Sequence, residues 1–210
     1  MGFLSRIAAT ALTVTLVAGG YQYVRTYNLP RVQPMLATAP TADTNGLEHF
    51  SPAENLERLE MAQLKTAAEQ ARRPNAPLRI AMYAFTDRAV AELLIQEADR
   101  GKVVELYRDG EQYENEERNA ARFRDRSTTG LFRSHRNIHI RVKPPSRSDL
   151  MHLKAWSNGT VLREGSANWS PAALKRQDNN VRFTTNGEEV QSFLNTFEAM
   201  WNRPANLVIQ

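Results

Sequence analysis

MHLKAWSNGTVLREGSANWSPAALKRQDNNV, residues 151–181, carries the most informative pattern in the chain. Asn158-Gly159 separates two short runs, 151–156 and 160–164, and reads as a tight hairpin turn between two strands. Alternation along the first run places His152 and Lys154 on one face, one step apart. Gly165-Ser166-x-Asn168 lies beyond the hairpin, so a hydroxyl, a carboxamide and closely approaching backbone can converge there. An imidazole, an ammonium, a hydroxyl and a carboxamide make a cradle for a phosphate. An imidazole ordinarily titrates near neutrality, which suits a nucleophile or general acid, while the lysine and the amide can neutralise charge developing on phosphoryl oxygens. Taken singly these residues are ordinary: a histidine in a strand is most often structural, and Gly-Ser after a strand is most often a turn. Their order and spacing carry the signal.

Outward from this stretch, residues 78–85 (LRIAMYAF) and 102–107 (KVVELY) read as buried strands. Between them Asp87 caps a helix that Gly101 stops. Strand, helix, strand with short joints predicts a βαβ unit and an α/β fold. Ser51-Pro52-Ala53-Glu54 predicts a helix start: serine as cap, proline in the first turn, glutamate closing a capping box. That helix should run to residue 73, with Leu56, Leu59, Leu64 and Ala67 or Ala68 inward. Residues 112–126 read as a charged helix, 137–143 as a strand, 171–175 as a short helix, 180–185 as a strand and 188–201 as a closing amphipathic helix. No internal repeat is present.

The 210 residues suit one domain with an appendage. With no cysteine there is no disulfide framework, thiol nucleophile or thiolate metal site. The histidines are His49, His135, His139 and His152, and none forms an HExxH-type pair; Arg136 between His135 and His139 is a poor neighbour for a cation. No metal and no other cofactor is expected. The net charge is +4, but residues 118–147 hold nine arginines and lysines against one acid, Asp125. Such a block is often a solvated face; directly upstream of the phosphate cradle it points to a polyanionic substrate, with Arg133, Arg136, Arg141 and Lys143 as contacts. Residues 7–24 (IAATALTVTLVAGGYQYV) carry no charge and read as a secretory signal or short membrane anchor. The expected organisation is an anchor or signal at 1–25, a linker at 26–45 and the main domain at 46–210, in the periplasm or otherwise outside the cytoplasm, with 7–24 holding it to the inner membrane if uncleaved.

His152-x-Lys154 with Gly165-Ser166-x-Asn168 resembles the HxK…GSxN signature of the phospholipase D superfamily, closest to its short bacterial endonucleases with one motif per chain. The resemblance extends over residues 78–201, including MYAFTD, Lys175-Arg176-Gln177-Asp178-Asn179 and Ala199-Met200-Trp201-Asn202. One departure stands out: where the family has an aspartate five residues after the lysine, this chain has Gly159, or Asn158 if the strand is one residue shorter. The resemblance implies a mixed sheet flanked by helices, and metal-free hydrolysis through a phosphohistidine. Because the chain holds a single HxK, it also implies a homodimer that brings two copies of His152 together. Lys154 and Asn168 would hold phosphate oxygens with Ser166 and Gly165 in support, and Asp178 would orient His152. The function implied is an extracytoplasmic nuclease acting on nucleic acid. The alternatives are a phospholipase D acting on membrane phospholipids and, given the missing aspartate, a catalytically weakened anion-binding module.

Overall fold

The computed structural model describes residues 11–18, 21–28, 46–69, 76–133 and 135–209, the first two segments as backbone only. Two units separate, Met1–Met35 and Leu36–Gln210. In the first, β1 (Ala11–Ala18) and β2 (Tyr21–Asn28) pair antiparallel, with Ala11 opposite Asn28 and Ala18 opposite Tyr21. The β-branched Thr13, Val14, Thr15 and Val17 favour this strand. The described part of the uncharged run at 7–24 falls within this strand pair. No helix among the described residues is long and apolar enough to cross a membrane. Most of the expected linker at 26–45 lies outside the described residues.

The second unit is built on an eight-stranded mixed sheet. Its parallel centre is the expected βαβ unit extended by one strand. β4 (Leu78–Met82) leads through α2 (Arg88–Asp99) to β5 (Val104–Arg108), then through α3 (Gly110–Arg122) and α4 (Thr128–Phe132) to β6 (Ile138–Val142). Asp87 caps α2 by accepting from Val90 N at 3.1 Å, and Gly101 at φ +97° ends it. β7 (Lys154–Ser157) pairs antiparallel with β4 on its other side, followed outward by β8 (Leu162–Gly165), β9 (Asn179–Thr184) and β3 (Glu48–Ser51). β10 (Leu207–Ile209) closes the opposite edge on β6. Strand alternation divides the core in two. Ile80, Met82, Leu106 and Trp156 pack in one cluster with Leu56 and Leu64 of α1 (Leu56–Glu69) and Leu94 of α2. Ala81, Tyr107, Ala155 and Leu162 pack in the other with Phe197 and Trp201 of α6 (Gly187–Trp201).

Local rules hold where nothing distant competes. α5 (Pro171–Lys175) begins with Ser170 as cap and proline in its first turn. The expected helix start at Ser51 does not hold: Ser51 ends β3 against β9, and its hydroxyl donates to Gln177 O at 2.6 Å. Asn55 caps α1 instead, accepting from Arg58 N at 3.0 Å, while the Glu54 carboxylate accepts from Phe50 N at 3.0 Å. Here strand pairing overrides a local capping pattern. Two edge strands, β3 and β10, and the short α4 had no sequence signal strong enough to mark them.

Candidate active site

Several segments end at the same end of the sheet. β4 finishes at Met82, opposite Lys154, the first residue of β7. β8 finishes at Gly165, opposite Val181 near the start of β9. This is the carboxyl end of the parallel strands, where open α/β sheets usually take their ligands. His152 lies just before β7 rather than within it and is exposed, while Lys154 is 7 % exposed. The Lys154 ammonium stands 3.1 Å from both ring nitrogens of His152 and donates to the His152 carbonyl at 2.8 Å. Both face an open cleft of about 970 Å³, which Gly165 and Ser166 also line. Burial, reinforced by repulsion from Arg163, lowers the Lys154 pKa below the ordinary lysine value of 10.5.

The second half of the motif arrives through a close crossing. Gly165 has φ +149°, and a Cβ there would meet Asn180 O at 2.3 Å, so no larger residue fits. The Ser166 hydroxyl is exposed and engaged with β9: it donates to Asn179 Oδ1 at 3.2 Å and accepts from Asn180 N at 3.0 Å. Asn168 is half-buried; its carboxamide oxygen accepts from Ala84 N at 3.2 Å, tying the motif to the end of β4.

Beneath the site lies a buried ion pair. Arg163 and Glu60 are both fully buried and joined through Nε and Oε1. The same guanidinium donates to Lys154 O at 2.5 Å and to Ala167 O at 2.9 Å. Glu60 also accepts from Trp156 Nε1 at 3.0 Å. One side chain thus staples the lysine strand to the Gly-Ser loop. Five hydrogen-bonding N–H groups in a rigid plane suit this role, as a lysine ammonium would not.

A family model, the cardiolipin synthase, PLD-like domain, matches residues 64–201. The chain belongs to the phospholipase D superfamily. No curated protein sequence matches it. Among solved structures, NucT from Helicobacter pylori superposes with a TM-score of 0.59 at 19 % identity, over 78 % of this chain and 98 % of that one. Nuc from Salmonella typhimurium, a phospholipase D family member, gives 0.54 at 19 % identity, over 78 % and 97 %. Phosphatidylserine synthase from Haemophilus influenzae gives 0.51 at 13 % identity, over 91 % of this chain and 43 % of that one. At these identities the likeness is one of fold.

Of the two residues that stand where the superfamily pattern has its aspartate, Asn158 and Gly159, the first is a well-anchored amide. Asn158 is 3 % exposed, donates to Ala67 O of α1 at 2.9 Å and accepts from Thr160 N and Val161 N, each at 2.9 Å. It therefore holds the β7–β8 turn to α1 as a neutral group. Asp178 is exposed on the turn between α5 and β9, and no hydrogen bond among the described residues joins it to His152. Tyr83 stands beside the imidazole instead, with ring centroids 4.5 Å apart in an edge-on arrangement.

Three of the four expected substrate contacts, Arg133, Arg141 and Lys143, are turned to other work. Arg133 donates to the Tyr113 hydroxyl and the Glu117 carboxylate, each at 2.8 Å. Arg141 stacks on Trp201 with its guanidinium 4.7 Å from the ring centroid, and Lys143 pairs with Asp149 at 2.7 Å. Arg136 is exposed, and none of these four lines the cleft. The cleft carries Glu48, Glu164, Glu188 and Glu189, with Arg182 bridging Glu164 and Glu189. Arg163, Glu60 and Tyr83 are what the sequence reading missed. Glu60 had a trace: a carboxylate on the apolar stripe of Leu56, Leu64 and Ala67 requires a buried partner.

Proposed function

We propose that the protein hydrolyses phosphodiesters without a metal, through a covalent phosphohistidine on His152, and that its substrate is a nucleic acid met outside the cytoplasm. Family and fold support a phosphodiester-processing enzyme. The observation that carries the finer reading is the exposed imidazole with a nearly buried ammonium held 3.1 Å from it at the mouth of an open cleft. In this mechanism an imidazole nitrogen of His152 attacks phosphorus and the bond to the leaving oxygen breaks. The second copy's His152 gives that oxygen its proton. It then takes a proton from water, which displaces the phosphoryl group and restores the free imidazole. Lys154 and the Asn168 amide would offset the charge that develops on the non-bridging oxygens.

The nucleic-acid assignment is supported by Arg122, Arg124, Arg126, Arg136 and Arg147, which are exposed and have no ion-pair partner among the described residues. The extracytoplasmic setting is supported by the uncharged run at 7–24. A second reading, phospholipase D action on a lipid with a cationic head group, is favoured by the carboxylates of Glu48, Glu164, Glu188 and Glu189 lining the cleft. Turnover by the full chain in excess EDTA separates the two, using plasmid DNA, RNA and phosphatidylcholine vesicles. Nuclease action should weaken steeply as salt rises, since each phosphate contact releases a counterion. Turnover of lipid alone would move the assignment to the second reading, and turnover that needs added metal would overturn the mechanism.

The lysine makes a pH prediction. Its ammonium is the useful form, so activity should be lost as pH rises through a pKa held below 10.5. Lys154→Arg keeps its charge at any accessible pH, so the alkaline limb of kcat/KM should move upward in that variant. An unchanged limb would remove Lys154 from that role.

A further inference from the structure

We infer that Tyr83, fixed by Gln112, is a positioning residue that sets the orientation of the His152 ring; its catalytic consequence rests on the function proposed above. A nucleophilic imidazole must present one nitrogen along a defined line, yet His152 is exposed and no carboxylate among the described residues bonds its ring. Its described ring contacts are the Lys154 ammonium and the Tyr83 ring, inclined at 64° with centroids 4.5 Å apart. The Lys154 ammonium also stands 5.0 Å from the centre of the Tyr83 ring, so one aromatic ring serves both members of the motif.

Tyr83 is itself held at both ends. Its backbone N–H donates to Leu153 O at 2.9 Å, continuing the β4–β7 pairing past Met82, and its hydroxyl accepts from Gln112 Nε2 at 3.0 Å. Gln112 lies in the first turn of α3, which Asp109 caps through Oδ1 at 3.1 Å from Gln112 N. The other oxygen of that carboxylate accepts from Met151 N at 2.9 Å, one residue before His152. Asp109 is 2 % exposed. The start of α3 therefore grips the site twice, by the backbone that leads into His152 and by the ring that packs on it.

The test compares the full-length wild type with Tyr83→Leu, Tyr83→Phe and Gln112→Leu. Tyr83→Leu should lower kcat on the order of 100-fold, the scale of a misplaced reacting group, with KM within about threefold. Tyr83→Phe keeps the ring and should retain activity within about fivefold, because the packing surface survives. Independently of turnover, the His152 ring-proton resonances, assigned by difference with His152→Asn, should move in Tyr83→Leu and, less, in Gln112→Leu. A kcat within threefold of wild type in folded Tyr83→Leu would overturn the inference, as would unmoved resonances. If Tyr83→Leu fails to fold, Gln112→Leu decides by the same resonances. A wild type that turns over no diester, with resonances that still move, would sustain the positioning and overturn the catalytic reading.

Discussion

Mixing wild-type chains with His152→Asn chains should reduce turnover as the square of the wild-type fraction, so that an equal mixture after subunit exchange keeps about one quarter of the rate. In the proposed mechanism one position supplies both the nucleophile and the general acid, one from each copy. A dimer with a single substituted chain lacks one of the two. The pure variant should lose at least about a thousandfold in kcat, since acid–base assistance alone contributes roughly 10²–10⁴-fold and the covalent route is lost with it. Asparagine keeps polarity and approximate shape, and His152 is exposed. Stability should therefore change by less than about 0.5 kcal/mol. Differently tagged chains, exchanged and assayed on a chromogenic diester, supply the measurement. A rate that falls linearly with the wild-type fraction would show that one histidine suffices and would end the two-copy mechanism.

Arg163→Met should cost about 3–5 kcal/mol of folding stability, read as a lower urea midpoint. The substitution leaves the Glu60 carboxylate at 0 % exposure without its cation, and it removes the donors to the Lys154 and Ala167 carbonyls. Burial lowers the Arg163 pKa, opposed by Glu60, so the pair already carries a desolvation cost that only good geometry offsets. The double variant Glu60→Leu with Arg163→Met should recover most of the loss, because an apolar pair of similar volume leaves no buried charge behind. The Trp156 indole N–H then lacks its acceptor, which limits the recovery by about 1–3 kcal/mol. A loss below about 1 kcal/mol in the single variant would show that the staple does not hold the two motif segments together.

Much of the fold could be read from short stretches. The Asp87 cap, the Gly101 stop, the Asn158-Gly159 turn with Gly159 at φ +86° and the start of α5 all stand as the sequence suggests. Each depends on groups a few residues apart. The reading failed where a partner came from far along the chain. Ser51 carries a capping pattern, but its backbone pairs with β9 and its hydroxyl donates to Gln177 O, more than a hundred residues away. The arginine-rich block reads as one basic surface; Arg133 and Arg141 instead spend their donors on Glu117 and on the Trp201 carbonyl. The candidate site divides in the same way. His152 and Lys154 were legible as a pair because strand geometry relates residues two apart, and the structure brings them into contact although His152 precedes the strand.

Short-range signals in the chain were enough for the βαβ centre, the hairpin after the HxK pair and the candidate phosphate-binding groups. All of these follow from periodicity, turn chemistry and spacing, which act within a turn or a strand. What holds and surrounds those groups comes from long-range packing. Glu60 meets Arg163 across 103 positions, Tyr83 settles on His152 from the end of a different strand, and four glutamates with Arg182, rather than the arginine-rich block, line the cleft. Such pairings are chosen by how the sheet orders its strands and by the need to satisfy every buried charge. Neither leaves a periodic trace in the chain.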